Sequence, residues 1–71
     1  MDDITPAQVR VYFAITDAID EKGYPPTVQE IADRIGLASK STVHGHLGIL
    51  EEKGYIKRNA KMPRAIKVLD E

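Results

Sequence analysis

Residues 27–53 read TVQEIADRIGLASKSTVHGHLGILEEK, and the reading of this stretch decides the fold. Thr27-Val28-Gln29-Glu30 is a capping box of the Ser/Thr-x-x-Glu form. In such a box the hydroxyl accepts from the amide three residues on, and the carboxylate reaches back to the cap amide. Val28, Ile31, Ala32 and Ile35 then recur at helical spacing, and Gly36 ends the segment. Leu37-Ala38-Ser39-Lys40 makes a short turn. A further helix runs from about Ser41 to Lys53, with Val43, Leu47 and Leu50 as its buried seam and Gly54 as its stop. Two helices about five residues apart form a helix-turn-helix unit, here spanning about residues 27–53.

Upstream, Thr5-Pro6-Ala7-Gln8 supplies another cap, with proline at the first helical position. The helix it opens carries Val9, Tyr12, Phe13, Ile15, Thr16 and Ile19 as its apolar stripe, with Asp17, Asp20 and Glu21 off it. Lys22-Gly23 stops it, and Tyr24-Pro25-Pro26 forces an extended connection. Downstream the period changes. Tyr55–Asn59 and Ala65–Leu69 are short β-compatible runs with Ile56, Ile66 and Val68 inward, joined by a loop over Ala60–Arg64. A lone two-stranded hairpin is unstable in water, so it must pack on the helices. Three helices followed by a hairpin over about 55–69 give a mostly helical α+β fold, the winged helix-turn-helix, and a single domain over 1–71.

Composition agrees and excludes several classes. The chain has 71 residues, 42% hydrophobic and 30% charged, with no cysteine. That is one small soluble domain, neither disordered nor disulfide-stapled, and without thiolate zinc ligands. No apolar run approaches the roughly 18–20 residues of a membrane span, and Met1-Asp2-Asp3 has the wrong charge for a signal peptide. A cytoplasmic setting fits.

The net charge of −1 conceals a division. Residues 1–38 hold three basic and seven acidic side chains; residues 39–71 hold seven basic and four acidic. Lys53, Lys57, Arg58, Lys61, Arg64 and Lys67 fall within 53–67 with no acid among them. Such density on a hairpin reads as a phosphate-contacting wing, although lysines also protect exposed sheet edges. On the third helix, a projection of 100° per residue puts Ser41, His44, Gly45 and Gly48 on one exposed face. Two glycines inside a helix cost roughly 1 kcal/mol each against alanine. A slim face bearing hydroxyls and an imidazole suits a groove about 12 Å wide. The same pattern also fits a polar surface helix with tolerated glycines, since no Arg, Asn or Gln lies on that face.

Metal and catalytic readings fail on spacing. His44 and His46 are two residues apart and point to different sides of a helix, with no cysteine or carboxylate spacing to complete a site. No P-loop, Gly-x-Ser-x-Gly or paired-carboxylate arrangement is present, and hydroxyls near histidines at helical spacing lack an orienting acid. No metal, cofactor or catalytic residue is expected.

The string GYPPTVQEIADRIGLASKSTVHGHLGILEEKGYIKR, followed by MPRAIKVL, resembles the N-terminal DNA-binding domain of the LexA repressor family. The STVHGHL segment and the PRAI wing look most like its Gram-positive branch. The likeness runs without an apparent gap from Thr5 to Leu69. It implies repression of DNA-damage-response (SOS) genes by binding double-stranded DNA at a palindromic operator. One domain would sit per half-site, with GAAC/GTTC-like half-sites for this branch and a weak or DNA-dependent homodimer. The family's base-reading positions fall on Ser39, Ser41, Thr42, His44 and Gly45. Backbone contacts fall on Lys61 and Arg64, with Lys40, Lys53 and Arg58 as further charges.

Three departures bear on affinity. Gln29 stands where relatives often carry Arg, Gly48-Ile49 replaces a usual Ala-Arg, and residues 60–62 differ from the common Pro-Thr-Lys wing tip. The family's C-terminal domain, with its Ala-Gly cleavage site, Ser/Lys dyad and dimer contacts, does not follow Glu71. The chain is therefore expected to be an excised domain or a stand-alone regulator from a phage or mobile element. In the second case it could act as an adaptor through a protein partner.

Overall fold

The computed structural model describes residues 3–36, 39–59 and 66–69. Five elements follow in order: α1 (Pro6–Lys22), α2 (Val28–Ile35), α3 (Lys40–Glu52), β1 (Ile56–Arg58) and β2 (Ile66–Val68). The strands pair antiparallel in the register Ile56↔Val68, Lys57↔Lys67, Arg58↔Ile66. Three helices and a two-stranded hairpin are the winged helix-turn-helix order that the sequence predicts.

The first two helices start as the capping boxes dictate. Thr5 Oγ1 accepts from the Gln8 amide at 3.3 Å, and the Thr5 amide donates to Gln8 Oε1 at 2.8 Å. In α2 the Glu30 amide donates to Thr27 Oγ1 at 3.2 Å, and the Thr27 amide to Glu30 Oε1 at 2.9 Å. Each box satisfies two amides that a helix start otherwise leaves without a partner. Beyond α3, Gly54 takes a left-handed φ of +86°. The turn lets the Tyr55 amide donate back to the Leu50 carbonyl, and Leu69 donates to the Tyr55 carbonyl, both at 2.9 Å. These two bonds close the hairpin's base; the strands themselves are three residues each, without Tyr55, Asn59 and Leu69 of the runs read from sequence, and Ala65 lies outside the described residues.

The core gathers one face from every element. Val11, Ile15, Ile31, Val43, Leu47, Leu50 and Ile56 are fully buried, with Ala14, Ala18, Ala32 and Ile66 nearly so. Burying each large side chain is worth about 1.5–3 kcal/mol. The seams expected for the second and third helices are the ones buried. The stripe expected on α1 is corrected: its buried line is Val11, Ala14, Ile15 and Ala18, with Gln8 at its start. Val9, Tyr12, Thr16 and Ile19 are half-buried beside that line, and Phe13 is 49% exposed. Alanines 14 and 18 let the other elements approach α1 closely, which excludes the bulkier Phe13 from that side. Arg34 also ties α2 to α1 by donating to both Glu21 oxygens, at 2.8 and 3.1 Å.

Candidate nucleic-acid interface

Helix α3 is anchored by Val43, Leu47 and Leu50, and its opposite side is bare. Ser39 is its N-cap, exposed, with no hydrogen bond from its side chain to the helix. Lys40, Ser41, Thr42, His44 and Gly45 are all exposed. Every base-reading position implied by the family resemblance thus lies on the surface of α3's first half. A Cβ added at Gly45 would meet no atom within 4 Å. Gly45 is not among the residues with positive φ. Neither space nor backbone conformation in the fold requires glycine there.

Gly48 is different, and the expectation that it belongs to the open face is corrected. It is half-buried, and a Cβ at this position would lie 3.8 Å from Arg58 Nη2. Arg58 closes β1 and folds back over α3. Its backbone amide donates to Glu51 Oε2 at 3.1 Å, and its Nε donates to Glu51 Oε1 at 3.2 Å. The two bonds, the backbone one foremost, hold the Glu51 carboxyl below the usual carboxylate range. Arg58, expected as a supporting phosphate cation, is therefore also a structural strut between hairpin and helix.

The other cations are spread around this centre. Lys53 caps the far end of α3, on the order of 20 Å from Lys40 along the axis. Its charge reaches Asp3, whose carboxyl is held low chiefly by the Tyr55 hydroxyl bonded to it at 2.5 Å. Lys61 and Arg64 lie outside the described residues. The register adds a feature missing from the expected contacts. Lys57 and Lys67 stand directly opposite each other on the exposed side of the hairpin, and Ile56 and Ile66 face the core. Like charges directly across a ladder are destabilising. Both lysines were visible in the charge count, but only the pairing register places them together. With Arg58, Asn59 and Ile66 they border a shallow open groove of about 240 Å³.

His46 is half-buried and lies with Ala7, Arg10 and Ile35 around a recess of about 60 Å³, on a different side from His44. Among the described residues no three His, Cys, Asp or Glu side chains come together as a metal-binding group. Among them, too, no helix is long and apolar enough to cross a membrane.

The sequence profile of the LexA DNA binding domain matches residues 1–65. The chain belongs to the LexA DNA-binding domain family. It is 54% identical over all 71 residues to the LexA repressor of Staphylococcus haemolyticus and 52% identical to that of Staphylococcus epidermidis. It is also 54% identical over 69 residues to the LexA repressor of Pelotomaculum thermopropionicum. The chain spans about a third of the length of these relatives, 34% in each case. The part matched is the DNA-binding domain of LexA. In this LexA domain the exposed α3 face offers hydroxyl, imidazole and bare backbone, and the described part of the hairpin offers the ammonium groups of Lys57 and Lys67.

Proposed function

We propose that the chain binds double-stranded DNA sequence-specifically as the operator-reading part of an SOS-type repressor. The first half of α3 enters the major groove, and Ser39, Ser41, Thr42, His44 and Gly45 meet base edges. Lys40 at the start of α3 and the wing cations Lys57, Lys67, Lys61 and Arg64 take phosphates, with Lys53 adding charge at the far end of α3. The observation that carries the reading is Gly45: an exposed helical glycine with open space around it and no demand from the fold. Its weakness as a helix former, about 1 kcal/mol against alanine, is explained when the missing side chain leaves room for another molecule. The opposed Lys57–Lys67 pair supports the same reading, because a phosphate beside it turns repulsion into attraction. The operator is a palindrome with GAAC/GTTC-like half-sites, occupied by two chains whose pairing depends on DNA.

The test is a mobility-shift titration at several salt concentrations on three duplexes: the full palindrome, one half-site and a scrambled sequence. Tight binding to the palindrome, weaker binding to the half-site and salt-sensitive, weak binding to the scramble are expected. His44→Ala should weaken palindrome binding by about 1–3 kcal/mol and leave scramble binding nearly unchanged. Equal affinity for palindrome and scramble at moderate salt refutes base reading.

A further inference from the structure

Glu51 is an acid beside the surface proposed to meet a polyanion, and simple electrostatics makes it a defect. Its hydrogen bonds say otherwise. One carboxylate holds both the main chain and the side chain of Arg58, through the amide at 3.1 Å and Nε at 3.2 Å. Nε is thereby committed, and among the described residues neither Nη atom of Arg58 donates a hydrogen bond. Nη2 lies over Gly48, one helical turn beyond Gly45 and on the same side of α3 as Ser41, His44 and Gly45. The Arg58 side chain as a whole keeps 28% of its surface exposed.

We infer that Glu51 is a positioning residue for DNA binding: it fixes Arg58 so that its two Nη groups face the duplex at the end of the α3 reading face and grip one phosphate. The contact is a charge-assisted pair of hydrogen bonds from a planar fork held in place beforehand. Pre-ordering matters because a free arginine surrenders considerable rotamer freedom when it binds. The same clamp sets the angle between hairpin and helix, so one carboxylate aligns the groove-reading element with the wing. The inference rests on the DNA-binding reading above and adds to it an oriented phosphate contact and the acid that orients it.

A double-mutant cycle on the 71-residue chain tests it, using the palindromic duplex with GAAC/GTTC half-sites and a scrambled duplex. Glu51→Ala removes a negative charge, yet palindrome affinity should fall roughly fivefold or more, as for loss of an oriented charged hydrogen bond. Arg58→Ala should lower affinity for both duplexes and reduce the salt slope by about one. In the Arg58→Ala background the amide of residue 58 still donates to Glu51 but no guanidinium is left to orient, so Glu51→Ala should change affinity by about twofold or less. A purely structural role for Glu51 cannot produce that loss of effect, because it weakens binding equally in both backgrounds. Glu51→Gln, which keeps one acceptor oxygen, should fall between wild type and Glu51→Ala and guards against an unfolded alanine variant. If Glu51→Ala raises affinity in the wild-type background, or lowers it by the same factor in both, the positioning role is wrong and operator reading stands. If the wild-type chain does not distinguish palindrome from scramble, the DNA reading itself fails, and this inference with it.

Discussion

Gly45→Ala separates what the fold wants from what its proposed task wants. Position 45 is the sixth residue of α3, exposed, in a helix running from Lys40 to Glu52. An added methyl would meet no atom within 4 Å, so the variant carries no steric penalty in the free chain. Replacing glycine by alanine in a helix interior is worth about 0.8–1 kcal/mol. For a domain of this size that corresponds to a rise of roughly 4–8 °C in Tm. The same methyl stands on the surface proposed to enter the groove, where it should weaken operator binding by about 1–3 kcal/mol, roughly 5- to 150-fold. Thermal melting followed by circular dichroism gives the first quantity and titration of a labelled palindromic duplex the second. Gly48→Ala is the companion: its methyl would touch Arg58 Nη2 at an ordinary 3.8 Å, so the helix should gain similarly in stability. A Gly45→Ala variant that melts lower refutes the claim that the fold has no use for glycine there. One that melts higher and binds the palindrome as tightly as wild type refutes the slim reading face.

Thr27→Ala removes the hydroxyl that accepts from Glu30 and should destabilise the domain by about 1 kcal/mol, read as a lower denaturant midpoint at unchanged slope. Lys67→Gln should relieve the repulsion with Lys57 and raise Tm slightly; it should also weaken palindrome and scramble binding alike and lower the salt slope by about one. Acid should destabilise the chain through Glu21, Asp3 and Glu51, whose carboxyls are held below their ordinary values by Arg34, Tyr55 and Arg58 respectively. A depressed folded-state pKa contributes stability above the unfolded value, and that stability is lost as pH falls through the folded one. Urea midpoints should therefore fall as pH drops from about 5 toward and below the depressed folded-state values, and Glu21→Gln should make the fall shallower.

The helix starts were legible because a capping box is complete within four residues: Thr5 with Gln8, and Thr27 with Glu30. The seam of α3 was legible because Val43, Leu47 and Leu50 are its strongest apolar residues at helical spacing, His44 and Gly45 lying between them. The face of α1 was not, because hydropathy favours Phe13 over Ala14 and Ala18, whereas close packing on α1 favours the alanines. On α3 the helical period alone places Ser41, His44 and Gly45 on an exposed face, whereas Ser39 and Thr42 became candidates only through the family resemblance; all five are exposed. The wing needed more. Lys57 meets Lys67 only through a hairpin register, and Gly48 is covered only because an arginine ten residues later folds back over it. Glu51 is three residues from Gly48 and seven from Arg58, and no sequence period links it to an amide in the next element.

Among the three helices, α3 alone begins without a side-chain cap. Ser39 makes no cap bond, no acid stands in the first turn, and a glycine follows within six residues. Helix α1 and helix α2 each begin with a closed capping box. The leading turn of α3 therefore has the smallest opening free energy of the three helix starts, and the backbone amides of residues 41–43 should exchange with deuterium ahead of their counterparts in α1 and α2. A duplex that supplies acceptors for those amides would complete the helix as it binds. Part of the discrimination between sites would then reside in that ordering: a poorly matched site leaves the turn frayed, and residence time shortens before any contact is wrong.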